Sequence, residues 1–123
     1  MATILIIEGE KERRGRYQGE LRKAGYEVLA ANGMRQALRL AGRHLVDLAV
    51  LDTVLADGDS VECMQRLLAH QRDLKLVLNT ANASISHDFN FWLADRFVPT
   101  SADLSQLKEA IADLLQPATL PAE

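Results

Sequence analysis

Val46–Ser60 reads V-D-L-A-V-L-D-T-V-L-A-D-G-D-S. The run Leu48-Ala49-Val50-Leu51 has the continuous apolar character of a strand buried on both faces of a parallel sheet. It stops at a carboxylate, Asp52, and the Asp- and Gly-rich segment that follows reads as a turn. Asp59 or Ser60 can then cap a helix carrying Val61, Met64, Leu67 and Leu68 on one face. Strand, carboxylate, turn and helix together form the unit of an open α/β sheet, in which ligands bind beyond the carboxyl ends of the strands. Asp52 stands at such an end.

Working outward, the same unit recurs. Thr3–Ile7 (T-I-L-I-I) is a β-branched apolar strand that ends at Glu8-Gly9-Glu10. A helix is expected over Glu10–Ala24, with Tyr17, Leu21 and Ala24 inward and Gly25 as its stop. Gly15 and Gly19 weaken it, and its charges, among them Lys11, Glu12, Arg13, Arg14 and Arg16, are of mixed sign as on a solvated face. Tyr26–Ala30 gives a second strand. Asn32-Gly33 turns the chain into a helix through Ala37, Leu38, Leu40 and Ala41 that ends at Gly42. Downstream of the opening stretch, Leu74–Leu78 is a fourth strand ending at Asn79-Thr80-Ala81-Asn82. A shorter helix follows over Ser84–Leu93, with Ile85, Phe89 and Trp92 as a core-facing stripe and Phe91 off it. Arg96–Pro99 is a fifth strand, and Asp103–Leu115 an amphipathic helix with Leu104, Leu107, Ile111, Leu114 and Leu115 inward. Residues 1–116 form the domain; the proline-bearing segment 117–123 reads as a flexible tail or the start of a linker.

At 123 residues, 48% hydrophobic and 25% charged, the composition is that of one ordinary globular domain. A net charge of -3 argues against direct nucleic-acid binding. The single cysteine, Cys63, excludes an intramolecular disulfide and a multi-cysteine metal site, and reads as a small apolar filler of its helix. No apolar stretch reaches membrane-spanning length and no cationic leader precedes the first strand, so the expected compartment is the cytoplasm, away from the membrane.

Strands alternating with helices call for parallel strands joined by right-handed crossovers. The expected architecture is an α/β, flavodoxin-like (βα)5 three-layer sandwich with a five-stranded sheet in the order 2-1-3-4-5. That order makes strands one and three neighbours at the switch point, bringing Glu8 and Asp52 to one crevice with Thr80 on the next strand. Three chemistries fit. The carboxylates could bind a hard divalent cation such as Mg2+, Asp52 could accept a phosphoryl group as a nucleophile, or the acids could simply end strands and cap helices. A nucleotide site does not fit, because E-G-E-K-E-R-R follows the first strand where phosphate needs glycines and bare N–H groups, and no phosphate-loop motif occurs.

Taken in order, I-L-I-I-E-G-E with Arg14, G-Y-E-V-L-A-A, Q-A-L, D-L-A-V-L-D-T-V-L-A-D-G-D-S, Thr80-Ala81, A-D-R-F-V and D-L-S-Q-L resemble, nearly end to end, the receiver domain of two-component response regulators. The resemblance implies that Asp52 is the aspartate phosphorylated by a histidine kinase and that Thr80 is the hydroxyl that follows the phosphoryl group. Ala81 is the position kept small for access, and Phe97 the switch aromatic. It implies a Mg2+ site at Glu8, Asp52 and the Val54 backbone carbonyl. It also implies a docking or dimerisation face made by the fourth helix, fifth strand and last helix, which would hold Phe91, Phe97 and Thr100.

The chain departs from the family at the points that carry charge. The family has two adjacent acids after strand one, where this chain has Glu8 and Gly9. The lysine and proline expected after strand five become Thr100-Ser101, or the lysine position becomes Val98 if Pro99 is taken as the proline; no lysine stands there either way. In the loop after Asp52, Ala56 replaces a proline and Ser60 a glycine, and Leu93 replaces the glycine before the last strand. A phosphorylated Asp52 would carry about two negative charges beside Glu8, with two main counter-charges missing. The expectation is a non-enzymatic, degenerate receiver that binds a signalling partner, a histidine kinase or a downstream effector, with weak or no phosphorylation at Asp52. The alternative is an authentic phospho-switch with an unusual Mg2+ shell. Phe91, off the apolar stripe, is the candidate interface anchor.

Overall fold

The computed structural model describes residues 1–81, 92–101 and 103–116. Its elements run β1 (Thr3–Ile7), α1 (Lys11–Lys23), β2 (Glu27–Ala31), α2 (Met34–Ala41), β3 (Leu48–Asp52), α3 (Ser60–His70), β4 (Lys75–Thr80), β5 (Arg96–Pro99) and α4 (Ser105–Leu115). All five strands are parallel and lie in the order β2-β1-β3-β4-β5. The flavodoxin-like architecture expected from the sequence is therefore the one observed.

Continuous apolar strands make sense because the sheet is covered on both faces. One set of alternate residues, Leu5, Ile7, Ala49, Leu51, Leu76 and Leu78, packs with Ala37 and Ala41 of α2 and Cys63, Met64 and Leu67 of α3. The other set, Ile4, Ile6, Leu48, Val50, Val77 and Val98, packs with Tyr17 and Leu21 of α1 and Leu107 and Ile111 of α4. Cys63 is fully buried in the first of these cores, and that burial pushes its thiol up to about 12, as expected of an inert filler.

Local signals explain the helix ends. Asp59 Oδ1 accepts from Val61 N at 3.1 Å and caps α3, while the neighbouring Ser60 is buried. At the end of α1, Gly25 adopts φ 100°; its N–H donates to Arg22 O at 3.0 Å and the Tyr26 N–H to Leu21 O at 3.2 Å. That pair of bonds is the Schellman arrangement, which requires a left-handed residue where glycine stands.

Three expectations need correction. β4 does not stop at Leu78: Asn79 pairs with Asp52 and Thr80 with Pro99, because ladder hydrogen bonding continues after the apolar run ends. Ala24 is exposed; as the cap residue of α1 it lies past the buried face that holds Tyr17 and Leu21. Trp92 is 74% exposed rather than core-facing. Trp92 and Leu93 lie in a turn, so helical spacing has no hold there, and Leu93 is the residue that packs on the core. The remainder of the helix expected over 84–93, with Ile85, Phe89 and Phe91, lies outside the described residues, as does the tail 117–123.

Candidate functional site

The crevice is built where β1 and β3 run side by side. Ile7 pairs with Leu51, so the residues that follow, Glu8 and Asp52, emerge together at the carboxyl edge of the sheet. Glu8 is only 2% exposed. Its Oε2 accepts from the Glu10 backbone N–H at 3.0 Å and from Arg13 Nη1 at 3.4 Å. Burial raises the Glu8 pKa above the ordinary glutamate value. The Glu10 N–H opposes that rise, the Asp52 carboxyl beside it adds to it, Arg13 opposes it, and a hydrogen bond shared with Asp52 adds to it again. Topology read from the sequence brings these two acids together, and the structure does so.

Asp52 closes on its own loop. Its Oδ1 accepts from the Val54 N–H at 3.1 Å, and Val54 is 76% exposed at the mouth of the crevice. Thr80, at the end of β4, is buried, with its Oγ1 3.3 Å from that of Thr53. Thr53 does not stand out in the sequence, since a threonine in a turn carries no signal of its own; strand adjacency gives it a role. Past the end of β5, the Thr100 N–H donates to Thr80 O at 2.8 Å, so Thr100 is the first residue beyond the paired strand. Val98, the other position considered for the missing lysine, is buried in the core beside α1 and α4, so Thr100 is the residue at the crevice edge. Phe97 is partly buried against the α2–α3 core. Phe91 lies outside the described residues.

Cations reach this edge of the sheet from α1 rather than from β5. Arg13 lies between two acids, with Nη1 3.4 Å from Glu8 and Nη2 3.4 Å from Glu10. Arg14 Nη1 donates to the backbone carbonyls of Glu8 at 2.9 Å and Gly9 at 3.3 Å. Arg16 Nη2 donates to Ser101 O at 3.4 Å. A cavity of about 310 Å³ is lined by Glu10, Glu12, Arg13 and Arg16. The sequence pattern assigns these arginines to a solvated face, because a mixed-sign helix surface has no local feature that marks which cation will meet a buried acid.

The donor set does not suit a magnesium ion. A hard divalent cation needs several oxygen ligands in near-octahedral order. Gly9 offers no side chain, the Glu8 carboxylate is already engaged by Arg13 and Glu10, and among the described residues no group of three or more His, Cys, Asp or Glu is placed to hold a metal. Steric need does not explain Gly9. A Cβ there would meet only Asn32 O, at an ordinary 3.6 Å.

The loop after Asp52 is held from across the crevice. Asp57 Oδ1 accepts from Met34 N at 2.8 Å and Oδ2 from Arg35 N at 3.0 Å, so the carboxylate satisfies free donors at the N-terminus of α2. Those N–H groups, first that of Arg35 and then that of Met34, lower the Asp57 pKa. Among the described residues, no helix is long and apolar enough to cross a membrane.

Known proteins share this fold. The family model of the response regulator receiver domain matches residues 4–112. The response regulator TrrA of Thermotoga maritima, in complex with Mg(2+)-BeF, superposes with TM-score 0.87 at 30% identity, covering 94% of this chain and 100% of that one. TrrA in complex with the histidine kinase ThkA gives TM-score 0.86 at 29% identity, over 94% and 100% of the two chains. The virulence transcriptional regulatory protein PhoP of Salmonella typhimurium is 28% identical over 81 residues, which is 66% of this chain and 36% of PhoP. The match thus spans little more than a third of that relative's length.

Proposed function

Because the chain belongs to the family of response regulator receiver domains, we propose that it works as a degenerate receiver: a two-component signalling module that acts by binding a partner, with little or no phosphoryl transfer to Asp52. The observation that carries this reading is the environment of the Asp52 carboxylate. A buried glutamate stands beside it, with Gly9 where a second acid would hold a metal and Thr100 where a lysine would meet the phosphoryl oxygens. A phosphoryl group on Asp52 would bring close to two negative charges to that position. Losing one counter-charge to a transferring group typically costs roughly a hundredfold or more in rate, and here Gly9 and Thr100 stand at both positions that would hold or supply one.

A second reading, an authentic phospho-switch, draws support from Thr80. That hydroxyl is retained, buried and bonded to Thr53 next to the acceptor. The relative TrrA, crystallised with Mg(2+)-BeF and with its histidine kinase, makes a histidine kinase the donor to test in that case. In either reading the module acts in the cytoplasm on a signalling protein rather than on nucleic acid, and it is not an enzyme.

Incubation with magnesium and acetyl phosphate, followed by intact mass measurement with Asp52→Ala as control, separates the two. The degenerate receiver stays at its unmodified mass. A stoichiometric adduct that vanishes in Asp52→Ala establishes the switch instead.

A further inference from the structure

We propose that the Arg13 guanidinium is the resident cation of the Asp52 crevice, occupying electrostatically the place where a divalent metal would otherwise sit. The inference rests on the degenerate-receiver reading and deepens it. With Gly9 bare, only Glu8 and Glu10 among the flanking residues could supply a replacement carboxylate, and one guanidinium spans both, 3.4 Å from each. Arg13 lies within the first turn of α1, with its side chain 32% exposed and its Glu8 partner 3% exposed. Among the described residues Arg13 is the side-chain cation bonded to the buried Glu8 carboxylate, and a buried carboxylate is costly without such a partner. Arg14, next in sequence, bonds backbone carbonyls instead.

The consequence is a Glu8–Glu10 pair, beside Asp52, that is held by a side-chain cation without metal and whose field opposes a second cation. A fixed positive charge already bonded to the carboxylates that a second cation would need disfavours that cation in a partly buried setting. A guanidinium also engages a pair of carboxylates through its fork of donors, as a single metal ion would through its ligands.

Four proteins test this: wild type, Arg13→Met, Gly9→Asp and the double variant. Each is titrated with Mg2+ and Mn2+ by calorimetry and melted with and without Mg2+. Arg13→Met keeps most of the length of the side chain on an accessible helix face and removes its charge. Wild type is expected to melt at the same temperature in both conditions. Arg13→Met should melt lower without metal, regain stability when Mg2+ is added, and bind Mn2+ about tenfold tighter or more. The double variant should bind tighter still, since Gly9→Asp supplies the acid that the backbone has room for.

As a measurement that needs no variant, Mn2+ should leave the Glu8, Gly9 and Asp52 amide signals of the wild type no broader than those of the rest of the domain. Wild-type binding as tight as that of Arg13→Met, or selective broadening of those three amides in the wild type, would overturn the assignment. The outcome is distinguishable from that of the phosphorylation experiment: an Asp52 adduct formed there, with no Mg2+ bound by the wild type in the titration, would refute the degenerate receiver and leave the role of Arg13 standing.

Discussion

Asn79 shows how much a single buried polar contact does here. Its Nδ2 donates to the Tyr17 hydroxyl at 2.6 Å, linking β4 to α1, with both residues buried. Asn79 also pairs with Asp52 in the ladder, so this bond fixes the strand beside the candidate acceptor. Tyr17→Phe keeps the ring and its packing but leaves the Asn79 amide unpaired, and an unsatisfied buried donor costs about 1–3 kcal/mol. Urea denaturation should show a loss of that size with an unchanged slope. At Gly9 packing makes no such demand, since a Cβ would meet only Asn32 O at an ordinary distance.

At the scale of the element, α1 combines little burial with many contacts at the crevice. It buries only Tyr17 and Leu21, yet it delivers Arg13, Arg14 and Arg16 to the crevice and Glu20 to Lys108 of α4 at 3.0 Å. Gly15 and Gly19 sit in its interior, with nothing within 4 Å of a Cβ built at either. Gly15→Ala and Gly19→Ala are each expected to stabilise the fold by about 0.5–1 kcal/mol, and thermal melts would read this directly. Gly25→Ala should do the reverse, by about 1–2 kcal/mol, because φ 100° is left-handed backbone. One helix thus holds two glycines that are dispensable and is closed by one that is not.

At the scale of the molecule, the crevice acids set how stability responds to pH. The Glu8 pKa is raised in the folded state, first by burial, so folding favours its protonated form. Stability from this group is therefore greatest below its unfolded pKa, near the ordinary glutamate value of 4.5, and is lost as pH rises through the folded pKa. Asp57 and Asp103 act in the opposite sense. Their pKa values are lowered, by the Arg35 and Met34 N–H groups and by the Ser105 N–H respectively, so their contribution is present above 3.8, the ordinary aspartate value, and disappears as pH falls through the folded pKa. Glu8→Gln, which retains an acceptor for the Glu10 N–H, removes the first effect alone. Its stability relative to wild type should therefore improve as pH rises from about 4.5 through the folded Glu8 pKa, measured by denaturant titration at several pH values. A constant offset across that range would show that the Glu8 pKa is not raised.

The sequence by itself determined the five parallel strands, their order, and the meeting of Glu8 with Asp52, because periodicity and crossover handedness are local or topological properties carried by runs such as Leu48–Leu51. Set beside the family pattern that it resembles, it also has Gly9 where a second acid is expected and no lysine where one is expected after strand five. Tertiary structure alone decided that Asn79 and Thr80 belong to β4 and that Trp92 faces solvent, because strand ends and turns depend on partners far along the chain. It alone decided, too, which cation the crevice would receive. Arg13 was one charge among many on a mixed-sign helix, and only the packing of α1 against β1 sets its guanidinium between Glu8 and Glu10.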